Sequence, residues 1–152
     1  MKTTININNK AVEIELTAEQ VEAIKKASEK ITDRVKTFED ALTIVGASEN
    51  LKILLSYNGQ DTDMLASVAH AKLGIIAKAL NEGWQPDWSD DDQYKYYPWF
   101  EWVGSAPGFS YDDYGYGRSR TAVGSRLIFK SRELAEYAGK QFNQLYNDLF
   151  SL

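Results

Sequence analysis

The sequence predicts an α+β protein: an N-terminal β-hairpin, several helices, and an antiparallel sheet with a C-terminal helix packed on it. Three observations predict this class: a polar–apolar alternation at the N-terminus, a long helical repeat in mid-chain, and β-rich aromatic segments before a final helical repeat. Strands segregated from helices along a chain are typical of α+β proteins. The 152 residues are predicted to form a single domain, with residues 1–34 as a semi-independent N-terminal element.

The first predicted elements are a hairpin and a capped helix. Apolar residues alternate with polar ones over residues 3–16, and "NNK" (8–10) separates the two runs with turn-forming residues. Thr17 and Gln20 have the spacing of a capping box, in which each side chain bonds the backbone N–H of the other residue. A helix is therefore predicted over about 18–31.

Three helices are predicted next. "TFEDALTIVG" (37–46) carries a second capping box, Thr37 with Asp40, and ends in a glycine. Residues 47–60 fit a helix or a strand and are assigned to a helix. Asp61 precedes the strongest helical repeat, 62–82. The residues predicted to face the core from this helix are Leu65, Val68, Ala69, Leu73, Ile76, Ala77 and Leu80.

The second half of the chain differs from the first in composition. It is predicted to contain an acidic loop (84–93), an aromatic strand (94–103), a glycine- and tyrosine-rich excursion between strands (104–120), a β-rich run (121–130) and a helix (132–149) capped by Ser131. The core-facing stripe predicted for the last helix is Leu134, Ala138, Phe142, Leu145 and Leu149. Pro98 has no N–H to donate to a ladder, so it predicts an edge position or a bulge in the aromatic strand.

Several blocks of the sequence resemble a known family. They are "KTFEDAL", "ALNEGWQPDWSDDDQYKYYPWFEW" and "TAVGSRLIFKSRELAEYAGKQFNQLYNDLF", and they are similar to an uncharacterised family of small bacterial and phage-encoded proteins. The resemblance covers about two-thirds of the chain, from near residue 36 onward. It implies a phage or mobile-element context and an accessory role, and it assigns no activity and no catalytic residue.

Composition excludes several chemistries. Without cysteine there can be no disulfide, no thiolate nucleophile and no Cys-ligated zinc. A net charge of −5 argues against extended nucleic-acid binding. The alternating N-terminus does not match a signal peptide, so the chain is predicted to be cytoplasmic, or part of a virion if it is a phage structural protein. No cofactor and no metal site are predicted.

The aromatic segment is the first candidate site. On an extended strand Tyr97 and Trp99 share one face, opposite to the face of Tyr94 and Tyr96. Helices that cover one face of a small sheet leave some of these rings near solvent, where Tyr and Trp suit binding interfaces. The ring-bearing residues predicted to contact a partner or ligand are Trp84, Trp88, Tyr97, Trp99, Tyr114 and Tyr116.

A basic run is the second candidate site. Its members, which lie within 15 residues that contain no acid, are Arg118, Arg120, Arg126, Lys130 and Arg132. One interpretation is an anion site beside the aromatic rings, as in a nucleotide pocket. The other is that these cations pair with the acids at 87–92 and 112–113.

Two further features are assigned no catalytic or metal role. The acidic loop lacks the ligand spacing of an EF-hand and is interpreted as a solvated loop. His70, the only histidine, lies in the central helix without a cysteine or a further acid to complete a zinc site or a triad.

These observations lead to a functional hypothesis and an alternative. The first is a non-enzymatic, phage- or mobile-element-associated accessory protein that binds another protein, or itself as a homo-oligomer, through its aromatic surface. The alternative is a protein that binds or sequesters a nucleotide or signalling phosphate between rings and arginines, in a phage setting to counter host defence. No catalytic constellation is recognisable, so the chain is predicted not to be an enzyme.

Overall fold

The computed structural model describes residues 2–7, 10–104 and 108–150. The chain has an α+β fold, as the sequence predicts, and it divides into two compact units, Met1–Arg34 and Val35–Leu152. No helix in the described ranges combines the length and the apolarity that crossing a membrane requires.

The first unit contains the predicted hairpin. Strands β1 (Lys2–Ile7) and β2 (Lys10–Glu15) pair antiparallel, with Ile5 opposite Val12. The predicted turn residues 8 and 9 lie outside the described residues. The alternation of residue types along both strands therefore predicts their pairing correctly.

Helix α1 (Ala18–Ser28) begins at the predicted capping box. The Thr17 N–H donates to Gln20 Oε1 at 2.9 Å, and the Gln20 N–H donates to Thr17 Oγ1 at 3.2 Å. The helix ends at Ser28 rather than near residue 31, and a separate short helix, α2 (Ile31–Arg34), follows.

The second unit contains five α-helices in its described residues: α3 (Phe38–Val45), α4 (Glu49–Leu55), α5 (Thr62–Leu80), α6 (Arg132–Gln141) and α7 (Asn143–Phe150). The predicted caps at Thr37 and Ser131 are confirmed, since each side chain accepts a hydrogen bond from the first turn of its helix. Asp61, which precedes α5 as predicted, caps that helix in the same way. The assignment of a helix within 47–60 is also confirmed.

Helix α5 lies at the centre of the second unit, where it packs against α3, α4, α6, α7 and residues 125–127. Leu73, Ile76 and Leu80 on α5 are buried, as predicted. The prediction that Leu65 is buried with them is wrong: it is 40% exposed and lies in the first turn of the helix, where residues 62–65 are all exposed.

The predicted C-terminal helix is interrupted. Phe142 has φ −113° and ψ 26°, outside the helical range, so α6 ends there and α7 begins at the next residue. The break moves the buried stripe: Tyr146 and Asn147 are fully buried, whereas the predicted Leu145 and Leu149 are only partly buried.

Strands β3 (Lys95–Trp102) and β4 (Phe109–Gly117) form the second antiparallel sheet. The predicted aromatic strand is confirmed, but the interpretation of 104–120 as an excursion is wrong for Phe109–Gly117, which pair with β3 along their length. Glycines and adjacent aspartates hide this strand in the sequence, since both are depleted in strands.

The predicted β-rich run 121–130 forms no ladder. It contains a 3₁₀ helix, Ser125–Leu127, and one isolated bridge between Phe129 and Tyr96. Its apolar residues Leu127, Ile128 and Phe129 are buried as core of the unit. Burial rather than strand pairing therefore explains the apolar character of this run.

A β-bulge gives the sheet its aromatic face. Pro98 lies opposite Tyr114 and Phe100 lies opposite Tyr111, with Asp112 as the extra residue on β4. Directly opposite residues share a face, so the bulge brings Tyr111 and Tyr114 to the same face despite their odd spacing. Pro98 therefore lies both on an edge strand and next to a bulge, as its residue type predicts.

Helix α6 contacts this face directly at Gly139. A methyl group on Gly139 would lie 2.8 Å from the Cβ atom of Pro98 and would overlap the Tyr111 ring. The absence of a side chain at this position therefore allows the helix backbone to approach the hairpin.

Helix α7 covers the outer edge of β4 with amide side chains. The N–H of Phe109 donates to Asn147 Oδ1 at 2.7 Å, and the N–H of Tyr111 donates to Asn143 Oδ1 at 3.0 Å. Both asparagines donate back to the Phe109 carbonyl, at 2.6 Å from Asn147 and 3.2 Å from Asn143. Two asparagines one helical turn apart thus replace a neighbouring strand.

The Gly139 contact predicts the effect of one methyl group. Gly139→Ala should lower the free energy of unfolding by about 1–3 kcal/mol, because the added carbon overpacks a rigid contact. Gly74→Ala on α5 is the matched control: its added carbon meets nothing within 4 Å and should stabilise the helix by about 0.5–1 kcal/mol. Urea denaturation measures both changes; equal effects of the two variants would contradict the contact.

Candidate functional site

One edge of β3 is only partly paired. Tyr96 exchanges both backbone hydrogen bonds with Phe129, at 3.0 and 2.7 Å, on the side away from β4. Because the direction of backbone groups alternates along a strand, Pro98, Phe100 and Trp102 face the same way. Within the described residues, no bridge beyond Tyr96 pairs this edge.

An apolar cleft of about 400 Å³ lies along this unpaired edge. We call it the β3 cleft; it is lined by Tyr97, Pro98, Trp99, Phe100, Phe109, Val123 and Phe150. No charged side chain is among these lining residues. At its margin Trp99 is 54% exposed, Trp102 is 60% exposed and Phe150 is 42% exposed.

The floor of the cleft is a cluster of rings from the sheet and from α7. Phe100 lies 4.6 Å from Tyr146 and 5.5 Å from Phe150 between ring centroids. Phe109 lies 5.4 Å from Phe150 and 5.2 Å from Trp102. These edge-on and tilted contacts, which are favourable geometries for aromatic pairs, fix the orientation of the exposed rings.

The other face of the strand is also aromatic near the cleft. The Tyr97 ring covers Gly115 on the neighbouring strand. Atoms of the Tyr97 side chain lie 2.5–2.7 Å from the position that a Cβ atom on Gly115 would occupy. Its centroid is 6.4 Å from that of Trp99. Tyr97 and Trp99 thus form one wall of the β3 cleft. They lie on the same face of the strand, as the sequence predicts.

A separate tyrosine cluster occupies the far end of the hairpin. Its members are Tyr94, Tyr96, Tyr114 and Tyr116, with centroids 5.2–6.3 Å apart. Arg118 donates to the Tyr94 hydroxyl at 2.6 Å, and the Arg132 guanidinium lies 4.5 Å from the Tyr114 ring centroid. Two predicted rings, Tyr114 and Tyr116, therefore lie outside the β3 cleft.

The basic run is divided among several places. Arg118 and Arg120 line a cleft of about 360 Å³ with Asp91 and Tyr116. Lys130 pairs with Glu82 at 3.0 Å, outside the acids that the sequence offers as partners.

Arg132 is held against the sheet by Glu136. Its Nε donates to Glu136 at 2.5 Å, and Lys140 contacts the same carboxylate at 3.6 Å. Lys140 also lies 5.0 Å from the Tyr111 ring centroid. These charged side chains of α6 therefore lie over the rings of β4. The Arg132 guanidinium is already engaged by Glu136 and by the Tyr114 ring.

The acidic loop is held together by its own hydrogen bonds. Asp87 accepts from the backbone and hydroxyl of Ser89, and Asp90 accepts from the N–H groups of Asp92 and Gln93. The hydroxyl of Ser89 is the main reason that the pKa of Asp87 lies below its ordinary value of 3.8. In the described ranges, no three acidic or histidine side chains group closely enough to hold a metal ion.

Trp84, Trp88 and Arg126 meet at the C-terminal end of α5, in a cleft of about 480 Å³. Lys95 is buried below this loop: its ammonium donates to the Asp90 carbonyl at 2.9 Å and lies 5.5 Å from the Trp88 ring centroid. His70 lines a neighbouring cleft of about 650 Å³ on the same helix.

The structure thus distributes the sequence-predicted residues over separate surfaces. Sequence reasoning missed Phe100, Phe109, Trp102, Val123 and Phe150 as members or neighbours of the β3 cleft. A signal for Phe150 existed: Phe142, Tyr146 and Phe150 recur every four residues and form a second aromatic stripe. Val123 lies in a turn and carries no such signal.

Comparison of the chain with models of protein families, with curated proteins and with solved structures gives no match. Its function is therefore argued from its own residues.

The charges over the sheet predict a pH dependence. The hydrogen bond from Arg132 is the main reason that the pKa of Glu136 lies below its ordinary value of 4.5. A carboxyl whose pKa is lowered by folding stabilises the protein above its unfolded-state pKa, and that stabilisation disappears as the pH falls through the folded-state pKa. Glu136→Gln should therefore be destabilising at neutral pH and nearly neutral at an acidic pH below the folded-state pKa of Glu136.

Urea-denaturation midpoints of wild type and variant at the two pH values measure this difference. Arg132→Gln should remove the same pH-dependent contribution to the free energy of unfolding, since it removes the main partner of the Glu136 carboxylate. A difference between wild type and Glu136→Gln that does not change with pH would contradict the assignment.

Proposed function

We propose that this chain is a binding protein rather than an enzyme, and that an extended segment of a partner protein occupies the β3 cleft. The observation that carries the proposal is the combination of an unpaired strand edge with exposed rings on both sides of it. A peptide that adds a strand to a sheet edge gains main-chain hydrogen bonds, and its alternate side chains enter pockets beside the edge.

The edge itself supports this mode of binding. Phe129 already pairs with Tyr96 on the same side of β3, so a partner strand would continue that line along Phe100 and Trp102. Pro98 has no N–H but keeps its carbonyl as an acceptor. The partner would therefore bond chiefly to Phe100 and Trp102, because the Pro98 side chain is buried against α6.

The character of the cleft sets the chemistry of the partner. Exposed apolar patches on soluble proteins commonly mark interaction sites, and Trp and Tyr contribute most of the binding energy at many interfaces. Because no charged side chain lines the cleft, the partner segment should carry apolar side chains at alternate positions. The accessory role in a phage or mobile element remains a prediction from the family resemblance.

Trp99→Ala separates binding from stability. A core tryptophan costs about 3–5 kcal/mol when truncated, whereas Trp99 is 54% exposed and should cost well below that. The same change should abolish peptide binding. Tyr116→Ala is the matched control, since Tyr116 is 57% exposed but lies in the tyrosine cluster.

The experiment selects binders from a displayed library of short random peptides, using the intact chain as the target. We expect enriched peptides with alternating apolar residues that bind wild type and Tyr116→Ala but not Trp99→Ala. Failure to enrich any peptide, or equal binding to all three proteins, would contradict the proposal. Light scattering of the same proteins detects self-association; if Trp99→Ala abolishes it, the occupant of the cleft is a second copy of the chain.

A further inference from the structure

Two adjoining clefts run along α5 on a surface separate from the β3 cleft. One, of about 650 Å³, lies between α5 and the connection from α3 to α4, with His70 among its lining residues. The other, of about 480 Å³, lies between the end of α5 and the loop that carries Trp84. Because the two share Gly74, Lys78 and Arg126, we treat them as one α5 groove.

The groove is cationic in an acidic protein. None of its lining residues is acidic, although the chain has a net charge of −5. Lys78 and Arg126 lie where the two clefts join, and neither forms a salt bridge with a described carboxylate. Lys130, by contrast, is paired with Glu82. Two cations without a protein counter-ion favour an anion between them.

One end of the groove is aromatic. The Trp88 Nε1–H donates to Ser125 Oγ at 2.9 Å, and the Lys95 ammonium lies 5.5 Å from the Trp88 ring centroid, so this ring is already engaged. Trp84 lines the groove and is partly exposed, and its backbone N–H donates to the carbonyl of Asn81 at 3.0 Å. Trp84 is therefore the ring that remains available for stacking.

Buried hydrogen bonds hold the walls of the groove together. Asn81, which is 6% exposed, donates from Nδ2 to the Ile128 carbonyl at 2.8 Å and accepts from the Lys130 N–H at 2.9 Å. These bonds join the end of α5 to the segment that carries Arg126. These bonds fix the backbone from which Lys78 and Arg126 extend before any ligand arrives, which lowers the entropic cost of binding.

We propose that the α5 groove binds a small anion that carries a flat ring, of the nucleotide class. Phosphate lies between Lys78 and Arg126, and the base stacks on Trp84. Ammonium and guanidinium groups are the usual protein partners of phosphate, and bases stack on tryptophan. Each of the two clefts, of about 650 and about 480 Å³, has a volume in the range of small-molecule sites.

Isothermal titration of the intact chain with ATP, AMP and inorganic pyrophosphate tests the assignment. Arg126→Gln and Lys78→Gln should each weaken nucleotide binding by about tenfold or more, the effect of losing one charged hydrogen bond. Arg120→Gln is the matched control, because it removes an arginine of the same basic run that lies in another cleft. It should leave the affinity unchanged.

Trp84→Leu tests the contribution of base stacking to binding separately from that of the phosphate contacts. It should weaken binding of ATP and AMP and leave pyrophosphate binding unchanged. Urea-denaturation midpoints confirm that each variant is folded. No binding of any of the three probes at millimolar concentration, or equal affinity in wild type and the Arg126→Gln, Lys78→Gln double variant, would overturn the proposal. A Trp84→Leu chain that binds nucleotides as wild type does would overturn the stacking.

Discussion

The close contact between α6 and the β3–β4 hairpin at Gly139 determines how the second unit is built. Pro98 and Tyr111 lie where a side chain on residue 139 would be. The backbone of α6 therefore packs directly against the rings of these two hairpin residues. The following helix then brings Asn143 and Asn147 to the edge of β4. A two-stranded sheet is only marginally stable alone, and these helices supply the missing surface.

This arrangement leaves the two edges of the hairpin in different states. The amides of α7 occupy the edge of β4, which protects it from pairing with other chains. Among the described residues, the edge of β3 is paired only at Tyr96, and it is lined with rings. The apolar β3 cleft and the cationic α5 groove are therefore two chemically distinct surfaces on one unit. We propose a peptide as the occupant of the first and a small anion as the occupant of the second.

Local signals predicted much of the fold, and long-range contacts account for what they missed. The capping side chains of Thr17, Thr37 and Ser131 act within one helical turn, so sequence spacing alone locates them. Strand β4 was missed because its pairing depends on a partner strand and on a bulge. Residues 121–130 were misassigned because buried bonds from Asn81 hold them, 47 and 49 residues away in the chain. For the site, residue type pointed to Trp99 and Arg126, but only the fold shows that they lie on different surfaces.

Amide hydrogen exchange, resolved to single residues in the free chain at low concentration, tests the difference between the two hairpin edges most directly. The N–H groups of Phe109 and Tyr111 should exchange slowly, because they are bonded to asparagine side chains held by α7. The N–H groups of Phe100 and Trp102 should exchange fast, because they face away from β4 on an edge that no described segment pairs. Equal protection of all four would show that the β3 edge is already occupied and would contradict the proposed docking site.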